Sequence, residues 1–236
     1  MPKILKNIKT IILDLDDTLY DCSGTLVLRK MKQVAKSLSR EICCSEEEAY
    51  RLQVETEELF GTKMNIYAKI AERYNLSPEY VEVLLKEFVH MDVSHIVPFR
   101  DTPGTLLQLK SLGYVLILVT FGEQRIQKKK IEVLGLDEDY FDEIIISDGK
   151  DGQTKKNSFR NILCRHKLNP NEIVCVGDKI EDELVAGKSL GMVTVLLKHG
   201  RHYHDYLKRR GEGCIKPDYS IKNIKDLMKL LSSIDV

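Results

Sequence analysis

The chain has 236 residues, 43% of them apolar, with 36 Lys and Arg set against 36 Asp and Glu. That length suits one large domain or a domain carrying an insertion, and the charge balance argues against a nucleic-acid or membrane surface. No apolar run approaches the roughly 20 residues of a membrane helix, and the first strand follows too soon after the N-terminus to leave room for a signal peptide.

The first element is the short apolar run Ile11 to Leu13, which runs straight into Asp14, Asp16, Asp17 and Thr18. Such a run suits a strand buried on both faces. Carboxylates crowded at its C-terminal end repel one another unless a cation joins them, and hard oxygen ligands favour Mg²⁺. Taken alone, the segment also fits a strand followed by an Asp-rich turn.

Helical spacing then takes over. Val27, Met31, Val34 and Leu38 mark one helix, and Ala49, Leu52 and Leu59 a second, entered by Ser45 with Glu48 at capping-box distance. A third covers Met64 to Tyr74, and Ser77-Pro78 opens a fourth that runs through Phe88. Residues 21–96 therefore read as a helical insertion.

From Pro98 helices alternate with short apolar runs. Helices are expected over Thr105–Leu112, Arg125–Leu134, Lys156–His166, Glu181–Leu190 and Ile221–Leu231, and strands over Tyr114–Val119, Ile144–Ile146, Ile173–Val176 and Val193–Leu197. Alternation of this kind predicts an α/β fold, a doubly wound parallel sheet with right-handed crossovers. The domain plan is a core of residues 1–20 and 97–236 interrupted by the helical insertion.

The polar candidates all fall near strand ends, which share one edge in a parallel sheet. Asp14 and Asp16 end the first strand, and Thr120, with Phe121 and Gly122, ends the second. Gly177, Asp178 and Asp182 follow the fourth strand, and Lys155 opens the helix before it. In this order the chain resembles the haloacid dehalogenase superfamily of phosphatases. Asp14-Leu15-Asp16-Asp17-Thr18 matches that family's Asp-x-Asp-x-Thr, Thr120 its second motif, Lys155 its third, and Gly177-Asp178 with Asp182 its fourth.

The resemblance implies a HAD-like core with a helical cap and a Mg²⁺-dependent phosphomonoesterase acting on a small phosphorylated metabolite. Asp14 would be the nucleophile and Asp16 the general acid and base, with Lys155 neutralising charge. Thr120, Phe121 and Gly122 would sit at the phosphate, and the Gly122 N–H is expected to hold one of its oxygens. Asp14, Asp178, the Asp16 carbonyl and Asp182 would surround the metal. A HAD-like binding module with little catalysis, or a phosphomutase, are the alternatives.

Individually each residue has a plainer reading. Thr120 and Asp178 are reasonable helix caps, Lys156 competes with Lys155, and Glu183 competes with Asp182. Two departures stand out: Phe121 occupies a position where the family often has Asn, and Lys179 one where a small polar residue is common. His199, His202 and His204 lack a completing ligand set and read as a surface loop or helix start. Residues Tyr20 to Cys22 and the cap are expected to meet the substrate, and His90, His95, Lys63 and Tyr67 are weaker candidates for that contact. Six cysteines without a C-x-x-C pair, the last at Cys214, read as free thiols in a reducing cytoplasm. The expected partner is a small phosphorylated molecule, with neither nucleic acid nor membrane, and the expected state a monomer or homodimer.

Overall fold

The computed structural model describes residues 5, 7–89, 92–149, 154–211 and 215–232. It divides into two compact units, one of Met1–Cys22 with Ser94–Val236 and one of Ser23–Val93. His90 and Cys214 lie outside the described residues.

The first unit is built on a parallel sheet. Its strands are β1 (Thr10–Leu13), β2 (Val115–Phe121), β3 (Glu143–Ser147), β4 (Ile173–Gly177), β5 (Val193–Leu197) and β6 (Tyr219–Ile221), in the order β3-β2-β1-β4-β5-β6. β1 lies between β2 and β4, with Ile12 opposite Ile117 on one side and Cys175 on the other. Every residue of β1, β4 and β5 is buried. Strands covered on both faces read as unbroken apolar runs for that reason. The core gathers Ile12, Ile117, Val119, Phe159, Ile162 and Leu184.

Among the described residues this unit carries six helices: α5 (Thr102–Ser111), α6 (Gln124–Leu134), α7 (Lys155–His166), α8 (Val185–Ser189) and α9 (Gly200–Arg209) lie between strands, and α10 (Asp226–Ser232) follows β6. α5 begins three residues before the expected Thr105, because Pro103 sits in its first turn, where a missing N–H costs nothing. Gly135 stops α6 in the left-handed region at φ 61°.

Two expectations need correction. The helix expected over Glu181–Leu190 is a π-helical turn, Ile180–Leu184, followed by the short α8. The final helix does not start at Ile221, which ends the sixth strand; it starts at Asp226, whose Oδ2 accepts from the Lys222 and Asn223 N–H groups at 3.2 Å each. The histidine-rich stretch after β5 takes the helix-start reading: His199 stands at the N-cap of α9.

The second unit is all-helical among its described residues: the π-helical turn Cys22–Val27 leads into α1 (Leu28–Glu41), then α2 (Glu46–Phe60), α3 (Ile66–Tyr74) and α4 (Pro78–Val89). Ser45 and Glu48 form the capping box that starts α2. A buried amide ties the helices together. Gln53 Nε2 donates to Met31 O at 3.0 Å and Ala49 O at 3.1 Å, and its Oε1 accepts from the Tyr67 hydroxyl at 3.1 Å. Tyr67 thus belongs to this interior, packed edge-on against Phe88, whereas Lys63 is exposed.

Candidate active site

β1 ends at Leu13, but its ladder runs one residue further: the Asp14 N–H donates to Val176 O at 3.1 Å. That bond holds the Asp14 backbone at the sheet's carboxyl edge, beside the switch in strand order where α/β sheets bind ligands. The chain then turns back. Asp17 adopts φ 56°, a left-handed conformation that Asp tolerates, and the Leu19 N–H donates to Leu15 O at 2.9 Å.

Asp14 is buried, and its Oδ1 accepts from Lys155 Nζ at 2.7 Å. Lys155 is 4% exposed and also donates to Glu183 Oε2 at 2.7 Å. It stands in the first turn of α7, which Thr154 caps by accepting the Asn157 N–H at 3.2 Å. Lys156 is only half-buried. Glu183 comes from the π-helical turn and is 1% exposed; its Oε1 accepts from the Lys179 N–H at 2.7 Å. Gly177 makes room for it, since a Cβ there would lie 2.3 Å from Glu183 Oε1. Asp182, the neighbour expected at the metal, is about a third exposed, 3.9 Å from Lys155 Nζ and 3.8 Å from Lys179 Nζ.

Carboxylate oxygens of Asp14, Asp178 and Glu183 all lie within 4.8 Å of one another, and all three residues are buried. Asp178 Oδ2 is buried without a hydrogen-bond partner. Burial, then the charges of Glu183 and Asp14, push the Asp178 carboxyl well above the usual carboxylate range. Burial also pushes Asp14 up to about 7; Lys155 opposes this, and Glu183 and Asp16 reinforce it. The same contacts hold Lys155 charged, because Asp14 and Glu183 together outweigh its desolvation. Three buried carboxylates against one ammonium, with an orphaned oxygen among them, form a donor set suited to a hard divalent cation.

Asp16 has a different environment. Lys130 Nζ, on α6, donates to its Oδ1 at 2.8 Å and its Oδ2 at 2.9 Å, and the Tyr20 hydroxyl donates to Oδ1. Gln127 Nε2 approaches Oδ2 at 3.3 Å. Burial alone would raise this carboxyl; the Lys130 charge and these hydrogen bonds hold it down at about 2.

Gln127 Nε2 also lies 2.6 Å from Thr120 Oγ1 and 2.9 Å from Phe121 O. The side chain of Thr120 and the backbone of Phe121 therefore meet the Asp16 cluster, and the Phe121 ring centroid is 6.0 Å from Lys155 Nζ. The Gly122 N–H, expected to be free for phosphate, donates instead to Ser147 O at 2.9 Å because β2 and β3 stay paired to their ends.

Tyr20, expected at the substrate, stands here on Asp16, and Gln127, Lys130 and Glu183 join the site; Gln127 and Lys130 escape the sequence reading. Glu183 was open as the rival of Asp182. Lys130 sits in the run Lys128-Lys129-Lys130, which reads as a solvated face; only α6's orientation separates the buried Lys130 from its exposed neighbours. A second grouping of Asp17, Asp21 and His199 also lies within 4.8 Å, with His199 Nε2 3.1 Å from Asp21 Oδ1.

The family model for haloacid dehalogenase-like hydrolases matches residues 11–197. The chain belongs to that family. It is a phosphatase-like member: the glyceraldehyde 3-phosphate phosphatase of Methanopyrus kandleri is 29% identical over 234 residues, covering 96% of this chain and 98% of that one. The phosphoglycolate phosphatase of Aquifex aeolicus is 29% identical over 228 residues, covering 95% and 97%. The crystal structure of a HAD phosphatase from Thermococcus onnurineus matches with a TM-score of 0.62 and 28% identity, covering 97% of this chain and all of that one. Among the described residues, no helix is long and apolar enough to cross a membrane.

Proposed function

We propose that the protein is a Mg²⁺-dependent phosphomonoester hydrolase that acts on a small phosphorylated metabolite through an aspartyl-phosphate at Asp14. One observation carries this reading: a buried Asp14 carboxylate bonded to Lys155 at 2.7 Å, next to a buried Asp178 oxygen with no partner. The names of the similar proteins support a small phosphate ester as substrate, since glyceraldehyde 3-phosphate and phosphoglycolate phosphatases both stand among them. The helical unit of Ser23–Val93 is read as the family's inserted cap.

Asp16, held ionised in the free site by Lys130, takes up a proton from the phosphate monoester monoanion as it binds; in the first step an Asp14 oxygen then attacks phosphorus, the ester P–O bond breaks, and the leaving oxygen takes that proton from Asp16. In the second, water attacks the phosphorus of the aspartyl-phosphate and gives its proton to Asp16. The P–O bond to Asp14 breaks, which releases inorganic phosphate and restores the carboxylate. Asp14 and Asp178, with the Asp16 carbonyl, would hold Mg²⁺, and Glu183 would position Lys155 beside them. Bound there, the ion would offset repulsion between the anionic nucleophile and the phosphate and stabilise charge in the transition state. Lys155 keeps its ammonium on Asp14, where it would also neutralise charge on the phosphoryl group. The buried setting limits competing water.

The test is hydrolysis of para-nitrophenyl phosphate with Mg²⁺. Activity is expected to vanish with EDTA, to return with added Mg²⁺, and to be lost in Asp14→Asn. Undiminished hydrolysis by Asp14→Asn overturns the reading.

A further inference from the structure

α6 places a buried ammonium and a buried amide on one side chain of the site. Gln127 and Lys130 are three residues apart, so they share a helix face one turn apart. Lys128 and Lys129 on either side of that face are exposed, and Lys129 pairs with Glu132 at 3.0 Å. Lys130 is 6% exposed. An ammonium in such a place costs several kcal/mol of desolvation unless a partner offsets it, and an apolar residue at this helix position would avoid the cost altogether.

The partner is Asp16, and the contact is two-pronged: Lys130 Nζ reaches both carboxylate oxygens, at 2.8 and 2.9 Å. Gln127 Nε2 supplies a lateral brace, linking Asp16 Oδ2 at 3.3 Å to Thr120 Oγ1 at 2.6 Å and Phe121 O at 2.9 Å. The Tyr20 hydroxyl closes the set on Oδ1. An Asp side chain has two free torsions, and nothing in the backbone after β1 fixes them. These three groups do so, and two of the three ride on α6.

The geometry points to Lys130 and Gln127 as positioning residues for the acid–base function of Asp16. They hold its carboxyl group in one orientation at the end of β2, so that the proton is exchanged at one locus beside the reacting phosphate. Proton transfer depends on such placement: a displacement of about 1 Å is enough to cost on the order of 100-fold in rate. This inference rests on the reading of Asp16 as acid and base.

The experiment compares kcat/KM of Lys130→Met and Gln127→Leu on two esters, β-glycerol phosphate and para-nitrophenyl phosphate. Nitrophenolate leaves without a proton, whereas the alkoxide requires one, so only the alkyl ester reports on how well Asp16 is placed in the phosphoryl-transfer step. Each variant is expected to lose about 10- to 100-fold on the alkyl ester and no more than a few-fold on the aryl ester. Asp16→Ala is expected to show the same asymmetry, more strongly. The quantity read is the ratio of two values on one sample, which does not depend on how much of that sample is folded. Equal losses on both esters, or no loss, overturn the inference. If Asp14→Asn is inactive while the ratio stays unchanged, the inference alone fails; if Asp14→Asn stays active, the underlying reading has failed first.

Discussion

The site contains one position where a single methyl group separates this packing from any looser one. A Cβ at Gly177 would lie 2.3 Å from Glu183 Oε1, 2.6 Å from its Cγ and 2.8 Å from its Cδ. The whole Glu183 side chain would have to leave, and it is buried, so no open space receives it. Displacement breaks two hydrogen bonds that the Glu183 carboxylate accepts, from Lys155 Nζ and from the Lys179 backbone N–H, at 2.7 Å each. At about 1.5–3 kcal/mol apiece these sum to roughly 3–6 kcal/mol; Lys155 keeps Asp14 as a partner, which favours the lower end. Gly177→Ala is therefore expected to destabilise by about 3 kcal/mol, a fall in Tm of about 6–12 °C for a chain of this size. The sign is diagnostic, because Gly→Ala at a compatible site stabilises by about 0.4–1 kcal/mol through the unfolded state. Gly104 supplies that control: it is an exposed position in α5, and nothing lies within 4 Å of its would-be Cβ. Thermal melts of both variants at equal pH decide the matter. A Gly177→Ala melt that matches or exceeds wild type would refute the packing described here.

Other outcomes follow from the same contacts. Asp178→Asn replaces a buried carboxyl whose Oδ2 has no hydrogen-bond partner and which burial, Glu183 and Asp14 hold well above the usual carboxylate range. Its metal-free melt should equal or exceed that of wild type, while the Mg²⁺-dependent rise in Tm, driven by about 2.7 kcal/mol of stabilisation at 100 times Kd, should disappear; a rise of equal size in the variant would contradict the assignment. Burial, with Arg201 and Lys179 beside it, depresses His202 from 6.5 to about 3. A depressed imidazole is neutral in the fold and charges on unfolding, so stability should fall as pH drops below 6.5. Denaturant midpoints between that pH and about 4.5, above the carboxylate range, should flatten in His202→Gln. Thr154→Ala removes the cap of α7, which accepts the Asn157 N–H at 3.2 Å. It should cost about 1 kcal/mol and lower kcat through the Lys155 it supports; no change in either would count against that support.

The parts legible in the sequence were those written in consecutive residues. The run Ile11–Leu13 into Asp14, Asp16 and Asp17 announces a buried strand and its carboxylates together. The parallel sheet follows from alternation, since strands covered on both faces have no polar side to disguise them. Strand β6 escaped because it has three residues and its Ile221 reads equally well as a helix start. The π-helical turn escaped because local propensity does not encode an extra residue per turn, and there the inward place falls to Glu183 rather than Asp182. Gln127 and Lys130 escaped for a further reason: they are about 110 residues from Asp16, and a buried Lys is indistinguishable in sequence from the exposed ones beside it. The Gly122 N–H was misjudged because its partner, Ser147 O, is supplied by a different strand.

The central claim is that residue 14 carries phosphate between the two steps. Enzyme mixed with substrate and Mg²⁺, quenched within the first turnover and reduced with borohydride, converts an aspartyl-phosphate to homoserine. Tandem mass spectrometry of the peptide spanning β1 should read homoserine in place of Asp14 and unmodified aspartate at 16 and 17. An unmodified position 14 in a sample that has released phosphate would contradict the account.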